Sequence, residues 1–357
     1  MVFERIEIVN FRGIRHLILD DVKQINLLVG KNNCGKSSIL DAVFLLSGFS
    51  NPLLSLRINQ FRDYDKFDEE DLVLNFYNMI PDNHIHIYGD MTNGTFRDLK
   101  ITPIVSESQY VVSKESISTQ ALSNKEANIS TGLTMNFSYL KANGEKKSDS
   151  SAIVITNQQS DKIKIRSSKD YNETLSGVYI NSKFAFNIAV DNLMNIIQEK
   201  QEHVIVEILR QIDPKIKSIS VLKSAVNVDI GLSRLVPINM LGDGIRKMLA
   251  IITSLYACKG GVIFIDEIDN GLHFSSLSSL WKAIIKTAEL LDVQVFATTH
   301  NIESLQSLNK VLYNDCVDSR DKIMCYSLRH MDTDEVNAYK YPYDKFNFVI
   351  NQEIEIR

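Results

Sequence analysis

Hydrophobic and polar positions alternate at the start of the chain and then change to a helical spacing. Residues 3–9 alternate as a half-buried strand does, and residues 24–29 form a short apolar run that ends at Gly30 and predicts a buried strand. Residues 37–47 carry apolar side chains at helical spacing. The first part of the chain is therefore predicted to run strand, glycine-rich loop, helix.

Between residues 51 and 179 the pattern consists of short alternating segments separated by polar ones. Such segments are typical of antiparallel strands joined by surface loops. We interpret this region as a β-rich insert that divides one nucleotide-binding domain into residues 1–50 and 180–357. The predicted strands cover residues 84–88, 96–104, 133–139 and 152–156, and the predicted loops cover residues 146–151, 167–176 and the mobile segment 113–131.

The last part of the chain alternates predicted strands with predicted helices. This alternation is the signal for a parallel sheet with helices packed on it. The predicted helices cover residues 186–211, 243–258, 274–291 and 302–308, and the predicted strands cover residues 216–222, 226–232, 262–265, 293–297, 323–328 and 336–341.

Composition narrows the class of protein. The 357 residues carry a formal net charge of −5, which excludes a chain that coats nucleic acid by bulk charge but leaves room for a local basic groove. The N-terminus does not resemble a signal peptide, and the longest apolar runs are too short to cross a bilayer, so no membrane association is expected. Free thiols in a reducing, cytoplasmic compartment are expected, because neither C-x-x-C nor zinc-cluster spacing is found among Cys34, Cys258, Cys316 and Cys325.

Residues 30–37 match the P-loop pattern G-x-x-x-x-G-K-[ST] at every fixed position. Glycines let the backbone turn its N–H groups towards phosphates, and the following helix adds its positive N-terminal end. Lys36 would reach the β- and γ-phosphates of ATP, and the Ser37 hydroxyl would bind Mg²⁺. The alternative, a glycine-rich turn with an unrelated lysine, is disfavoured by the strand before it and the helix after it. The predicted nucleotide-binding residues here are Gly30, Asn32, Asn33, Cys34, Gly35, Lys36, Ser37 and Ser38.

A second motif is the apolar strand at residues 262–265, which ends in Asp266 and Glu267. After a P-loop, such a strand is typical of a Walker B segment. Asp266 would support Mg²⁺, and Glu267, expected on the opposite face of the strand, would polarise the attacking water. A strand that ends in a solvated acidic turn is the alternative. His300 follows the next buried strand, where an imidazole could sense the γ-phosphate, although a histidine at a strand end is more often without function.

Two glycine-containing segments flank the Walker B strand. The segment before it has Gly242, Asp243 and Gly244 at a predicted helix start, which offers a second anion site. One chain has only one γ-phosphate, so we interpret this loop as serving the ATP of a second copy. An ordinary loop-to-helix junction is the alternative. In the segment after the strand, Asp269 would bond across the dimer interface, unless it only caps the next helix.

Together these segments resemble the ABC-type ATPase heads of the SMC, RecF-like and OLD (overcoming lysogenization defect) families, and most closely the OLD-like ATPases of bacterial anti-phage systems. The resemblance implies an α/β P-loop NTPase of ABC type, with a β-rich N-terminal lobe or insert and a parallel-sheet core with flanking helices. It also implies an enzyme that hydrolyses ATP with Mg²⁺ as a homodimer or higher homo-oligomer. The matching segments are residues 8–13, 30–37, 241–246, 264–273 and 297–300.

The resemblance further implies a role for each matched residue. A transporter-type signature has a serine before its glycine pair, whereas Leu241 precedes Gly242 here, so backbone N–H groups would carry more of the γ-phosphate contact. The implied roles are phosphate and metal binding for Lys36 and Ser37, metal support for Asp266, the base for Glu267, the switch histidine for His300, the signature loop in trans for Gly242, Asp243 and Gly244, nucleotide binding for Arg12, and the Q-loop metal ligand for Gln60.

The function beyond ATP hydrolysis stays open between three hypotheses. OLD nucleases carry a TOPRIM domain, and the stretch after His300 is too short for one, so the chain resembles the ATPase half of a two-gene defence pair, PARIS-like or Abi/RloB-type, with a separate nuclease effector. The second hypothesis is a RecF- or SMC-like DNA repair ATPase that binds DNA directly. The third is a nucleotide switch that assembles an oligomer and turns over slowly. Nucleic acid is an open partner, since the basic candidates do not stand out from a solvated charged face. They are Arg57, Arg62, Lys162, Lys164 and Arg166.

Overall fold

The computed structural model describes residues 2–62, 64, 69–105, 131–141, 144–155, 163–181, 185–330 and 335–356. The strands are β1 (Phe3–Phe11), β2 (Ile14–Asp20), β3 (Ile25–Val29), β4 (Ile85–Met91), β5 (Phe96–Val105), β6 (Thr131–Leu140), β7 (Lys146–Ile155), β8 (Ile163–Arg166), β9 (Gly177–Ile180), β10 (Ser218–Leu222), β11 (Ala225–Asp229), β12 (Val236–Pro237), β13 (Val262–Ile265), β14 (Gln294–Thr299), β15 (Ile323–His330) and β16 (Val336–Pro342). The α-helices are α1 (Lys36–Ser47), α2 (Leu54–Gln60), α3 (Glu69–Val73), α4 (Ala185–Gln198), α5 (Glu202–Arg210), α6 (Asp243–Ala257), α7 (Phe274–Leu291), α8 (Ile302–Asn314) and α9 (Tyr343–Asn351).

One sheet is mostly parallel and has six strands in the order β16-β15-β3-β14-β13-β9. The strands from β15 to β9 pair in parallel, and β16 is antiparallel to β15 at the edge. Every residue of β3, β13 and β14 is buried, and most of their side chains are apolar, as expected for strands covered on both faces. The predicted parallel sheet is present. Its edge strand β16 is antiparallel, which the residue pattern of that strand did not predict.

The other large sheet is antiparallel and has seven strands in the order β2-β1-β4-β5-β6-β7-β8. β1 pairs directly with β4, so that Ile8 lies opposite Ile87. The division predicted near residue 51 therefore assigns strands of one continuous sheet to two domains, because β1 and β2 belong to the same sheet as the strands of the expected insert. Strand pairing joins segments that are distant in sequence, and the periodicity of a single segment does not report its partner.

Helix α1 lies between the two sheets. All of its residues are buried except Ser37 and Ser38, as expected for a helix that is covered on nearly every side. Phe44 meets Phe264 of the parallel sheet edge to face, with ring centroids 5.6 Å apart, and the same apolar core includes Ile87 of the antiparallel sheet. Because both sheets fix α1, the loop at its N-terminus starts from a rigid base.

The opposite face of the parallel sheet is covered by α4 to α8, which share one apolar core with it. The single helix predicted over residues 186–211 is in fact two, α4 and α5, because Lys200 adopts a left-handed backbone with φ 59°. Trp281, the only tryptophan of the chain, is fully buried in α7 and donates its Nε1–H to the Ser304 carbonyl of α8 at 3.1 Å. Among the described residues, no helix combines the length and the apolar character needed to cross a membrane.

Several local predictions differ from the structure. Residues 146–151, predicted as a loop, form the first part of β7, where the polar side chains change from exposed at residues 146–148 to buried at Ser151. β2, α2 and α9 were not predicted, and the strand predicted at 226–232 ends at Asp229 in a small three-stranded sheet, β10-β11-β12. The predicted mobile loop at 113–131 lies outside the described residues except for its last one.

Candidate functional site

The loop between β3 and α1 has the backbone shape that the motif predicts. Gly30, Asn33 and Gly35 have φ values of 154°, 64° and 90°. A Cβ on Gly30 would lie 2.5 Å from the Cys34 sulfur and 2.8 Å from the Leu328 carbonyl oxygen, so a side chain does not fit there. Alternating conformations of this kind turn successive N–H groups towards one centre and form a cradle for an anion. The Cys34 thiol itself is buried, so only its backbone can face a ligand.

Helix α1 begins with an open N-terminus. Gly35 occupies the N-cap position without a side-chain cap, and no acidic residue lies in the first turn. The first helical hydrogen bond is donated by the Ile39 N–H to the Gly35 carbonyl at 2.9 Å. The N–H groups of Lys36, Ser37 and Ser38 therefore have no partner within the helix, and they carry the positive end of its dipole. Together with the loop, they form a site suited to phosphate.

The Lys36 side chain folds back over the loop. Its ammonium donates to the carbonyls of Gly30 and Lys31, both at 2.8 Å, and lies 3.9 Å from the Cys34 sulfur. The residue is 9% exposed, so its charge is held close to the loop N–H groups. An ammonium in this position can neutralise a phosphate bound in the cradle.

The structure brings together two of the three predicted metal ligands, Ser37 and Asp266. Ser37 Oγ donates to Asp266 Oδ1 at 3.0 Å, although the residues are far apart in sequence. The sheet order explains the contact, because β14 alone separates β3, which leads to Ser37, from β13, which leads to Asp266. A hydroxyl and a carboxylate oxygen at this spacing are ligands that Mg²⁺ prefers.

Thr298, at the end of β14, connects the two carboxylate residues. Its hydroxyl donates to Asp266 Oδ1 at 2.6 Å and accepts from the Glu267 N–H at 2.8 Å. Burial raises the pKa of the Asp266 carboxyl, and the nearby Asp41 raises it further, while the hydrogen bonds from Thr298 and Ser37 oppose this rise. A cation bound beside Asp266 would favour its ionised form. Sequence reasoning missed Thr298, whose only signal is its place before His300.

Glu267 lies in a tight turn and not in the strand. β13 ends at Ile265, and Glu267 has a left-handed backbone with φ 49°, a conformation that costs a non-glycine residue about 1–2 kcal/mol. The Asn270 N–H donates to the Glu267 carbonyl at 3.0 Å, and the Asn270 amide donates to the Glu267 carboxylate at 3.3 Å. The turn, and not the alternation of a strand as expected, therefore directs the Glu267 side chain.

The predicted signature loop lies at the exposed start of α6. Gly242 is the N-cap residue with φ −62° and no side-chain cap, and a Cβ added to it would meet nothing within 4 Å. Asp243 lies in the first turn, is exposed, and accepts from Arg246 at 2.9 Å. Gly244 is half-buried, and a Cβ there would lie 3.3 Å from a Leu272 methyl group. The loop therefore has free space beside Gly242 and packs against Leu272 at Gly244.

His300 follows β14 and is exposed. Thr299 pairs with Val29 in the parallel register, so His300 lies level with Gly30, the first residue of the P-loop. The sheet therefore brings His300 to the same edge as the phosphate cradle, as the order of motifs predicted.

Asp269 is placed differently from the expectation of a bond across an interface. It is 8% exposed, and its Oδ1 accepts from the Thr299 hydroxyl of the same chain at 2.5 Å. It does not cap the next helix either, because the N-cap of α7 is His273, whose side chain accepts from the Ser275 N–H. Asp269 therefore fixes the turn after the Walker B strand to the end of β14.

Arg12 and Arg62 both pair with Asp41 of α1. Arg12 also donates to Asn59 Oδ1 at 2.8 Å, and Arg62 donates to Asp41 at 2.6 Å. Burial lowers the pKa of the Arg12 guanidinium, and Asp41 opposes this. Arg12 shares a shallow pocket with Ser38, which keeps it beside the P-loop helix although its guanidinium is bound to Asp41. Asp41 was not among the predicted site residues, since one aspartate in an apolar helix carries no spacing signal.

The side chains of Asp266 and Glu267 line a cleft of about 350 Å³. Gln60, the candidate Q-loop residue, is the last residue of α2, and the next residue, Phe61, lines the cleft and stacks on Tyr179 with centroids 4.5 Å apart. Lys247 of α6 also lines it and donates to the carbonyls of Glu267 and Asn270. Lys247 was not among the site residues predicted from the sequence. The cleft is lined by Phe61, Ile180, Asn181, Asp243, Arg246, Lys247, Ala250, Asp266, Glu267, Asn270 and Gly271.

The described basic candidates for nucleic-acid contact lie on different elements. Lys164 and Arg166 are exposed on β8, and Arg57 is exposed on α2. Arg62 is bound to Asp41, and Lys162 lies outside the described residues.

The donor set fits ATP with Mg²⁺. The cradle of N–H groups, the open start of α1 and the ammonium of Lys36 suit a polyphosphate. Ser37 and Asp266 offer adjacent oxygen ligands for a hard divalent cation. Glu267, one residue further, is placed on a braced turn beside them, where a carboxylate can act as a base.

Comparison with known proteins agrees with this site. The model of the AAA ATPase domain family matches residues 1–303. An ATP/GTP phosphatase of Helicobacter pylori is 29% identical over 352 residues, which cover 91% of this chain and 92% of that protein. The DNA replication and repair protein RecF of Clostridioides difficile is 35% identical over 74 residues, which cover 21% of this chain and 19% of RecF. The SMC head domain from Thermotoga maritima superposes with a TM-score of 0.46 at 12% identity, covering 96% of this chain and 99% of that chain.

The family match covers most of the chain and includes the P-loop, both flanks of the Walker B strand and His300. It confirms the predicted α/β P-loop fold and the predicted ATP hydrolysis. The RecF match supports the SMC- and RecF-like group that the motifs resemble. The chain therefore belongs to the AAA ATPase domain family and is a P-loop ATPase.

Proposed function

We propose that this ATPase completes its active site by closing head to tail with a second copy over MgATP, and that the closed pair controls a separate nuclease effector in bacterial anti-phage defence. The observation that carries the pairing is the exposed and uncapped start of α6. Its first N–H groups have no partner within the helix, and the charge of Asp243 in its first turn is paired with Arg246. The helix packs beyond β13, on the other side of Asp266 from the P-loop. A second copy is the natural source of the phosphate that it would contact.

Each residue of the site has a defined task in this proposal. The P-loop N–H groups and Lys36 bind the phosphates, and Ser37 and Asp266 would hold Mg²⁺, which neutralises charge on the transferred phosphoryl group. Glu267 accepts a proton from the attacking water, and His300 stabilises charge at the γ-phosphate end. Arg12 as a nucleotide contact and Gln60 as a metal ligand stay predictions.

The defence role is supported by the resemblance of residues 241–246 and 264–273 to OLD-like ATPases. A separate effector follows from the same resemblance, because those ATPases work with a nuclease activity. An ATPase that changes between open and closed pairs can transmit that change to a bound partner.

Mixing two inactive variants tests the shared site. Lys36→Ala removes the phosphate-binding ammonium, and Gly242→Glu places a negative charge at the start of α6, where the structure has room for it. Each variant alone should lose ATP turnover. In an equal mixture half of the pairs are mixed and each holds one intact site, so about a quarter of the wild-type rate should return.

The control for Gly242→Glu is Gln201→Glu, which adds the same charge at the N-cap of α5, another helix start without a side-chain cap. This control should keep wild-type turnover. If the mixture stays as inactive as its components while both variants remain folded, the site is not shared between copies.

The defence role is tested in cells that carry this gene with its neighbouring gene. Phage plating should fall in these cells and recover with Lys36→Ala. Co-purification of the two products, with and without ATP, tests the effector directly. Equal phage plating with the wild type and Lys36→Ala would remove the defence role and leave the ATPase assignment untouched.

Direct binding of DNA is the second candidate, and the RecF match favours it. Duplex binding by the isolated chain that weakens steeply between about 50 and 200 mM salt would support it, because phosphate contacts release counterions. Absence of binding at low salt would exclude it.

A further inference from the structure

We propose that Lys247 is a positioning residue for ATP hydrolysis, which holds the turn that carries Glu267 from the first turns of α6. The proposal rests on the proposed role of Glu267 as the base. Lys247 Nζ donates to the Glu267 carbonyl at 2.8 Å and to the Asn270 carbonyl at 2.7 Å. It therefore grips the first and the last residue of one turn.

The turn needs such support. The Glu267 backbone is left-handed, with φ 49°, and the hydrogen bond from the Asn270 N–H to the Glu267 carbonyl closes the turn at 3.0 Å. The Thr298 hydroxyl accepts from the Glu267 N–H on the other side. Glu267 is thus fixed at its N–H by β14 and at its carbonyl by α6, and loss of either contact frees its carboxylate to move.

The position of Lys247 on α6 gives the contact a second consequence. It lies about one helical turn after Gly242 and Gly244, on the same rigid helix. A shift of the helix start on contact with a second copy moves the Lys247 ammonium with it. Contact at the signature loop is in this way coupled to the Glu267 turn of the same chain.

The charges around Lys247 are mixed. Burial lowers its pKa to about 8, and the carboxylates of Asp269, Glu267 and Asp266 oppose this shift. Asp243 and Arg246 of its own helix line the same cleft. The ammonium is therefore present at neutral pH and loses its charge as the pH rises through about 8. Its hydrogen bonds to the two carbonyls then lose their charge assistance and become weaker.

Two substitutions separate the effect of the Lys247 hydrogen bonds from the effect of its side-chain volume. Lys247→Met keeps most of the side-chain volume and removes the donors, and Lys247→Arg restores donors and a permanent charge. We expect kcat of Lys247→Met to fall about tenfold with KM for ATP nearly unchanged, and Lys247→Arg to recover most of the loss. Lys286→Met on the exposed side of α7 is the matched control and should keep the wild-type rate.

A double variant tests whether Lys247 acts through Glu267. In a Glu267→Gln background, Lys247→Met should lower kcat little further, because the base is already lost. The pH profile gives an independent reading, since the fall of wild-type kcat above about pH 8 should vanish in Lys247→Arg.

The outcomes distinguish this inference from the proposed function. Wild-type kcat in Lys247→Met, or a full further tenfold loss in the double variant, overturns the positioning role even when the mixing experiment shows a shared site. If Glu267→Gln itself turns over like the wild type, the proposed base is wrong, and the role of Lys247 falls with it. A tenfold loss with rescue by arginine supports the positioning role whether or not two copies pair.

Discussion

The starts of helices α1 and α6 share two features but lie in different surroundings. Each starts at a glycine without a side-chain cap, and each has a lysine in its first turns that donates to two loop carbonyls. Lys36 donates to the carbonyls of Gly30 and Lys31 in the loop before its own helix. Lys247 instead donates to carbonyls of the turn that follows the Walker B strand. α1 is enclosed by two sheets, and the start of α6 is exposed.

The difference indicates how the work is divided between the two helix starts. The α1 start has its partner oxygen, Asp266, inside the same chain, so one copy can form the phosphate and metal half of the site. The α6 start has room outside Gly242 and a link to Glu267 through Lys247. The start of α1 is suited to bind phosphate, and the start of α6 is the part that we propose contacts a second copy.

The largest expected effect comes from a substitution at the start of α1. Lys36→Ala should lower ATP turnover about 10³-fold, because it removes the buried ammonium of the phosphate cradle. Phosphate release measures the rate, and circular dichroism checks that the variant is folded. A loss of less than tenfold in a folded variant would mean that the α1 start is not the catalytic phosphate site.

Glu267→Gln should lower kcat about 10²-fold and leave ATP binding intact, since the amide keeps the shape of the side chain but cannot accept the proton. Equilibrium binding of ATP and single-turnover kinetics separate the two effects. Weaker ATP binding with unchanged kcat would show that Glu267 contributes to ATP binding and not to the chemical step.

Gly242→Ala tests the exposed start of α6 and should lower turnover about tenfold with a small fall in Tm, because alanine is a poorer N-cap residue than glycine. Apart from its chain neighbours, the added methyl group has no atom of its own chain within 4 Å, so a loss of turnover points to contact with another molecule. Turnover measured over a range of protein concentrations checks this. Unchanged turnover at every concentration would indicate that no partner approaches Gly242.

The smallest effect is expected at the end of β14. Thr298→Val removes a hydroxyl that serves Asp266 and Glu267, and should cost about 1–3 kcal/mol of stability and several-fold in kcat. Thr299→Val is a matched change, because the Thr299 hydroxyl serves Asp269 and Asn301. It should cost similar stability with a smaller loss of kcat. Equal kcat losses would show that both act only on folding.

The sequence predicted the residues whose chemistry depends on local spacing. The P-loop, the Walker B strand and α7 depend on short patterns that fix the backbone directly, and these elements lie where they were expected. The pairing of β1 with β4 and the contacts of Thr298, Asp41 and Lys247 depend on neighbours far along the chain. Such contacts come from packing of the whole fold, so no periodicity or spacing reports them.

The position of Trp281 gives the protein an internal optical probe. It is the only tryptophan, its indole N–H in α7 donates to the Ser304 carbonyl of α8, and it is not among the residues that line the cleft. Its emission should therefore shift to longer wavelength when these helices separate and stay constant when nucleotide binds. Unfolding of every variant above can be followed at this one residue without a label.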